Sequence, residues 1–321
     1  MSARTAERGL FDFLFLAEGL RLREHRGQIY DLDVVGRPDT FTVLAALAAV
    51  TDRLGLTGTI NTTFNEPFEV ARQFATLDHL SDGRAGWNIV TSSDAFTGEN
   101  FRRGGFLDHA DRYQRAEEFL LVAREFWRSW AADAVLADIE AGTYVDPSRV
   151  GTVDHHGAHF DVRGVATLPA GPQGDPILLQ AGDSDDGRNF GAHYADALFT
   201  LHGSLEDGQR YYADVKGRAA SFGRNPDDLK VFPAATFVLA CAKMAWYLSI
   251  WVFRISIRDR CRCAPRRSRS PTHSRSTAPC MRSAPCRWAI RTRCCASPTR
   301  AQRRWRVSAP AWRHTRISRS A

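Results

Sequence analysis

The sequence predicts an α/β fold with parallel strands, on three observations. Apolar runs of strand length alternate with segments of helical period, the loops between them are short, and polar or glycine residues gather where the runs end. Such a rhythm implies right-handed crossovers and ligands at the carboxyl ends of the strands. Six strands can be counted where a closed β/α barrel needs eight, so the barrel is read as incomplete.

The first strand is Phe11 to Ala17 in FDFLFLAEG, an apolar run that turns polar at Glu18. Phe41, Leu44, Leu47, Ala48 and Leu54 then recur at helical spacing, with Thr40 or Thr42 as caps and Gly55 as terminator. A strand from Leu56 to Ile60 follows and ends in NTTFNEPF; EVARQFATLDHLSDG reads as the next helix, stopped by Gly83. GRAGWNIVTS supplies the third strand, and its end carries Trp87, Asn88, Thr91 and Ser92. Those polar groups fit either a strand running into a loop or the rim of a binding site. A long helix, Asp111 to Trp130, presents Ala116, Phe119, Leu120, Ala123, Phe126 and Trp127 as an apolar face for packing. Residues 131–176, rich in Gly, Pro and His, read as an excursion from the sheet. DPILLQAG, ADALFTLHG and LKVFPAATFVLA are the last three strands, with helices beginning near GDSDDGRNF and GQRYYADVK between them.

Charge divides the chain near residue 240. Residues 1–240 hold 23 basic and 35 acidic residues, whereas 241–321 hold 20 basic residues and a single acid, Asp259. All seven cysteines lie in the second part, so the first has no disulfide framework or thiolate metal site. No run of 18 apolar residues or clear signal peptide is present, and a soluble cytoplasmic protein is the expectation. The tail, with RCRCAPRRSRSPTHSRS and no CxxC knuckle, invites a nucleic-acid reading through phosphate neutralisation. Against that stand a disordered basic tail and a wrong-frame translation of GC-rich coding sequence, the reading preferred here. No specific function and no specific nucleic acid are therefore expected of residues 241–321.

The segments LTGTINTTFNEPFEVARQFATLDHLSDGRAGWNIVTS, HADRYQRAEEFLLVAREFWRSW, GDPILLQAGDSDDGRNFGAHYADALF and GRNPDDLKVFP resemble the bacterial luciferase-like, flavin-dependent monooxygenases of the nitrilotriacetate, EDTA and dibenzothiophene-sulfone branch. The resemblance runs from about residue 7 to 236. It implies an incomplete (β/α)8 TIM barrel of the luciferase-like type over 1–240, lacking family residues before Gly9 and the last barrel strands after the frame changes. It further implies FMN, received as FMNH2 from an NAD(P)H-dependent flavin reductase, O2 as co-substrate, a small organic substrate, and a homo-oligomer. A flavin oxidoreductase without oxygenation and an inactive fragment are the competing readings.

The same resemblance nominates residues. Glu18 stands where the family has Asp near the flavin, although a solvated acid at a strand end would look the same. Thr59 and Asn61, the latter usually Ser, fall where family members approach the isoalloxazine, while Thr62 and Thr63 could satisfy the loop backbone. His109 and Tyr113 are four apart on one helix face, and the family sets this pair beside the cofactor, with His109 as the candidate for handling a proton. In QAGDSDDG, Ser184 sits where a helix should begin. It is either an N-cap or a phosphate ligand together with the free amides, with Asp183, Asp185 and Asp186 adding unwelcome negative charge. His155, His156 and His159 lack a metal pattern, so no metal is expected and they are read as loop histidines near the substrate mouth. Arg84, Arg112 and Arg188 are read as solvated or salt-bridged, with a phosphate role open for one.

Overall fold

The computed structural model describes residues 2–29, 35–92, 95–102, 109–234, 239–241, 244–246 and 251–253. All belong to the first of two compact units, Met1–Arg260. The expectations for the basic tail fall almost wholly outside the described residues.

Six parallel strands run in chain order: β1 (Phe13–Leu16), β2 (Gly55–Asn61), β3 (Ala85–Val90), β4 (Ile177–Gln180), β5 (Ala197–Thr200) and β6 (Lys230–Pro233). They are the six read from the apolar runs. A seventh, β7 (Trp251–Phe253), lies antiparallel against the outer edge of β1, with Phe13 opposite Phe253. The sheet curls without closing. Rings of Phe13 and Phe232, on the first and sixth strands, are 5.7 Å apart, and those of Phe15 and Phe199 5.8 Å.

Alternation along each strand sorts the side chains. Leu56 and Ile60 of β2 and Ala85, Trp87 and Ile89 of β3 point outward into the main core. There they meet three helices: α2 (Thr40–Ala48), α3 (Pro67–Ser81) and α5 (His109–Arg128). Thr57, Thr59, Asn61, Gly86 and Asn88 therefore take the inner face, where Gly86 is required because a Cβ would stand 2.5 Å from the Thr57 hydroxyl. The six residues read as the apolar face of α5 are all buried. Trp87 is the centre of this layer: its ring lies 5.4 Å from Phe74, 5.9 Å from Phe119 and 6.2 Å from Trp127, and its Nε1 donates to the Ile60 carbonyl at 3.0 Å.

The ends of the helices differ from the sequence reading. Asp39, not Thr40 or Thr42, caps α2, accepting from the Thr42 amide at 2.7 Å, because its carboxylate reaches an orphan donor of the first turn. That helix stops at Ala48, and Gly55 instead opens β2, where a Cβ would stand 2.8 Å from Phe13. Asp82 takes the left-handed cap of α3 (φ 56°), with Gly83 following it at φ 80°. A helix the reading lacked, α1 (Ser2–Arg8), buries Ala3 and Ala6 against Leu14 and Leu54. Its Glu7 carboxylate accepts from the amides of Asp52, Arg53 and Leu54 at 2.6 to 3.0 Å.

Residues 131–176 contain two hairpins outside the main sheet, Val135–Asp138 with Thr143–Val145 and Val153–His156 with Asp161–Gly164. The second lies on α5: Glu118 accepts from the His159 and Phe160 amides and from His155 Nε2 at 3.1 Å. Helices α4 (Ala95–Arg102), α6 (Asp185–Tyr194) and α7 (Leu205–Ser221) complete the described α-helices, and no described helix is long and apolar enough to cross a membrane.

Replacing Trp87 by Ala is expected to destabilise the fold by about 3–5 kcal/mol, because a cavity opens among three aromatic rings and the Ile60 carbonyl loses its donor. Urea unfolding followed by circular dichroism checks this; a midpoint unchanged from wild type contradicts it.

Candidate active site

A cavity of about 580 Å3 opens at the carboxyl ends of the strands, with Phe15, Glu18, Thr59, Asn88, Ala181 and Phe199 among its walls. That size suits a small-molecule ligand. Its floor is aromatic, from the Phe15 and Phe199 rings, and its upper wall is polar, from the inward residues of β2 and β3.

Glu18 and Asn61 meet directly, Asn61 Nδ2 donating to Glu18 Oε2 at 3.0 Å. Asn61 is itself held, since its Oδ1 accepts from the Phe64 amide at 2.7 Å and its carbonyl from Asn65 Nδ2 at 2.8 Å. Burial pushes the Glu18 carboxyl up to about 7, against the lowering hydrogen bonds of Asn61 and with a small raising contribution from Asp39. The group therefore changes protonation near neutral pH. Thr59 pairs with Asn88 instead: Asn88 Nδ2 donates to Thr59 Oγ1 at 3.1 Å.

Tyr113 and Ser184 come together at a second place, the start of α6. A Cβ on either Gly182 or Gly187 would stand 2.8 Å from the Tyr113 hydroxyl, so glycine at both positions lets the strand end, the helix start and the tyrosine approach one another. Ser184 caps α6, its Oγ accepting from the Gly187 amide at 3.1 Å. The cap is thus real, and the hydroxyl proton is still directed by nothing in that bond. Ala181, on the cavity wall, adjoins Gly182 and links the two places along the chain. His109 is the first residue of α5, one turn before Tyr113, and its side chain lies outside the described residues.

The negative charge around Ser184 is largely answered. Arg188 pairs with Asp183 at 2.9 Å and with Asp214 at 3.1 Å, and Arg218 pairs with Asp185 at 2.7 Å. Arg84 has another task, since it donates to the carbonyls of Ala48, Thr51, Leu54 and Ser81 at the opposite end of the strands. The histidines are also elsewhere: His155 contacts Glu118 on α5, and His156 pairs with Asp161 at 2.7 Å within its hairpin, so neither lines the cavity. Among the described residues no group of three or more His, Cys, Asp or Glu could hold a metal ion. Asn88 is the site residue to which the sequence reading gave no role. Its signal was there in the period-two pattern that sets it on the same face as Gly86 and opposite Thr59.

Because the folded protein holds the Glu18 proton up to about 7 against an ordinary value of 4.5, the folded state binds more protons than the unfolded one between those values. Stability is therefore expected to fall as pH rises through that window, by up to about 3 kcal/mol. Glu18→Gln removes this slope, and urea midpoints measured from pH 4 to 8 check it; parallel profiles for the two proteins contradict it.

The family model described as luciferase-like monooxygenase matches residues 1–250. The chain is 44% identical over 238 residues to N-acetyl-S-(2-succino)cysteine monooxygenase of Bacillus subtilis (strain 168), covering 74% of this chain and 53% of that protein. It is 44% identical over 245 residues to nitrilotriacetate monooxygenase component A of Aminobacter aminovorans, covering 74% and 54%. Among solved structures, riboflavin lyase with modified FMN and substrate riboflavin superposes with a TM-score of 0.69 at 34% identity, covering 74% of this chain and 54% of that one. The chain spans about half the length of the curated relatives it matches. A curled, incompletely closed sheet of six parallel strands with a cavity at their carboxyl ends agrees with these matches. The chain belongs to the luciferase-like monooxygenase family, close to its nitrilotriacetate, EDTA and dibenzothiophene-sulfone branch.

Proposed function

We propose that this chain is the oxygenase of a two-component flavin monooxygenase. It takes FMN in the reduced form from a separate NAD(P)H-dependent flavin reductase and uses O2 to oxygenate a small organic substrate. The observation that carries this reading is the cavity at the strand ends, walled by Phe15 and Phe199 and by polar residues, next along the chain to a glycine-lined helix start, in a chain of this family.

The residues present fit a flavin. Gly182, Gly187 and Tyr113 close on one another with no Cβ between them, which brings the tyrosine hydroxyl to the start of α6. A phosphate there would receive the first amides of α6, the Ser184 hydroxyl and the Tyr113 hydroxyl, and the Arg188 and Arg218 pairs limit repulsion from Asp183 and Asp185. Glu18, Thr59 and Asn61 would face the ring system. Bound reduced flavin supplies the activation of O2.

The chain's own work is to orient and to keep water out. Phe15 and Phe199 offer an apolar floor on which a planar ring can rest. Glu18, buried and near half-protonated at neutral pH, can hold a proton at Oε1 or Oε2 while Asn61 fixes its direction. His109, at the head of α5, is the residue proposed to move a proton in the reaction. A homo-oligomer is proposed as the working state.

Anaerobic titration with photoreduced FMN tests the cofactor, and substrate-dependent O2 uptake tests the reaction. Saturable binding is expected, and Tyr113→Phe should weaken it about tenfold through loss of one hydrogen bond to a charged group. Absence of binding by the wild-type protein overturns the proposal; binding with substrate oxidation but no O2 uptake favours a flavin oxidoreductase without oxygenation.

A further inference from the structure

Arg115 of α5 is 6% exposed and reaches the turn that follows β2: its Nε donates to the Thr62 carbonyl at 3.1 Å and its Nη2 to the Asn65 carbonyl at 3.2 Å. The Glu66 carboxylate is 4.0 Å away, on a side chain that is mostly exposed. The guanidinium also lies 4.2 Å from the centre of the Phe160 ring, which the second hairpin holds against α5. A planar cation with donors in fixed directions can bridge two carbonyls while stacked on a ring; an ammonium group cannot.

The turn that Arg115 grips leads to the cavity wall. Asn65 Nδ2 donates to the Asn61 carbonyl at 2.8 Å, the Phe64 amide donates to Asn61 Oδ1 at 2.7 Å, and Asn61 Nδ2 donates to Glu18 Oε2 at 3.0 Å. Strand β3 holds the same turn from its own side, the Thr62 amide donating to the Val90 carbonyl at 3.0 Å and the Ser92 amide to Thr63 Oγ1 at 3.1 Å. The direction of the Asn61 amide is therefore set by the shape of residues 61–65, and Arg115 binds that turn at two points.

Resting on the reading in which Glu18 holds a proton during flavin chemistry, we infer that Arg115 is a positioning residue of the site: by fixing the Thr62 and Asn65 carbonyls it aims the Asn61 amide at the Glu18 carboxyl. A donor so aimed favours the ionised carboxylate. Burial pushes the other way and Asp39 adds a small rise, while Arg37 donates to the Glu18 carbonyl at 3.2 Å and Arg21, Arg23 and Glu24 share the cavity. Those groups stay in place when Arg115 is altered, so a change in the Glu18 titration reports on Asn61.

The test follows the Glu18 carboxyl in the flavin-free protein by infrared spectroscopy from about pH 4 to 10, its protonated C=O band identified by difference from Glu18→Gln. Arg115→Met keeps an unbranched stem against Phe160 and removes both donors, and the Glu18 midpoint should rise by about one pH unit. Loss of a positive charge alone would act in the same direction, and a double-mutant cycle separates the two causes. Asn61→Ala should raise the midpoint by a similar amount, and adding Arg115→Met to it should raise it no further. Should Arg115→Met fail to fold, Asn65→Ala decides: it breaks the same chain of contacts without changing charge, and should also raise the midpoint. An unchanged midpoint in Arg115→Met or Asn61→Ala, a rise in the double variant as large as that of Arg115→Met alone, or an unchanged midpoint in the deciding Asn65→Ala overturns the inference and leaves the flavin reading intact. Failure of the wild-type protein to bind reduced FMN would instead remove the proposed function and leave the coupling of Arg115 to Glu18 standing.

Discussion

Contact between the first strand and the last two parallel strands governs the rest of the molecule. In a flat sheet, strands spaced ~4.8 Å apart would put β1 and β6 about 24 Å from each other. The rings of Phe13 and Phe232 are 5.7 Å apart, so the sheet is curled enough for its inner face to become an interior. Phe13, Phe15, Leu179 and Ala197 form a buried cluster there, with Phe232 packed against it. Without that cluster the inward residues of β2 and β3 would line an open surface, where water would satisfy them.

Curling gives the interior two chemically different ends. Near the amino ends of the strands Phe13, Leu179, Ala197 and Phe232 wall a second cavity of about 350 Å3, while towards the carboxyl ends the interior is lined by Thr59, Asn88 and Glu18. Buried polar groups are tolerable when they satisfy one another. Asn61 with Glu18 and Asn88 with Thr59 do so, save for the buried Asn88 Oδ1, which has no partner among the described residues. The outer face needs no such arrangement. Trp87 and Ile89 alternate with Gly86 and Asn88 on the same strand, and they pack against helices as ordinary core.

Much of this was legible in the chain. Six apolar runs correspond to six parallel strands because a strand buried on both faces must be apolar nearly throughout, and helix α5 was readable because its buried positions recur at helical spacing. Less legible were features that depend on what lies opposite. Helix α1 has no strong apolar stripe of its own; it is held by two alanines on Leu14 and Leu54 and by Glu7 reaching three amides near residue 53. Asp39 took the cap from two threonines because only its carboxylate meets the Thr42 amide, and His155 found Glu118 on α5, and His156 found Asp161, rather than the cavity.

The candidate site divides in the same way. Residue types at Glu18, Thr59, Asn61, Tyr113 and Ser184 could be nominated from the chain, since polar groups after strand ends and a serine before a helix are local patterns. Sequence by itself determined which faces of which strands would be polar, because alternation is a property of the extended backbone. Only the tertiary structure decided that Asn61 would engage Glu18, that Asn88 would engage Thr59, and that Tyr113 would lie against Gly182 and Gly187. Each of these is a contact between elements far apart in the chain, made when the sheet curls and α5 packs over it. Long-range proximity of that kind follows from burying apolar surface, not from the identity of the polar residues it brings together.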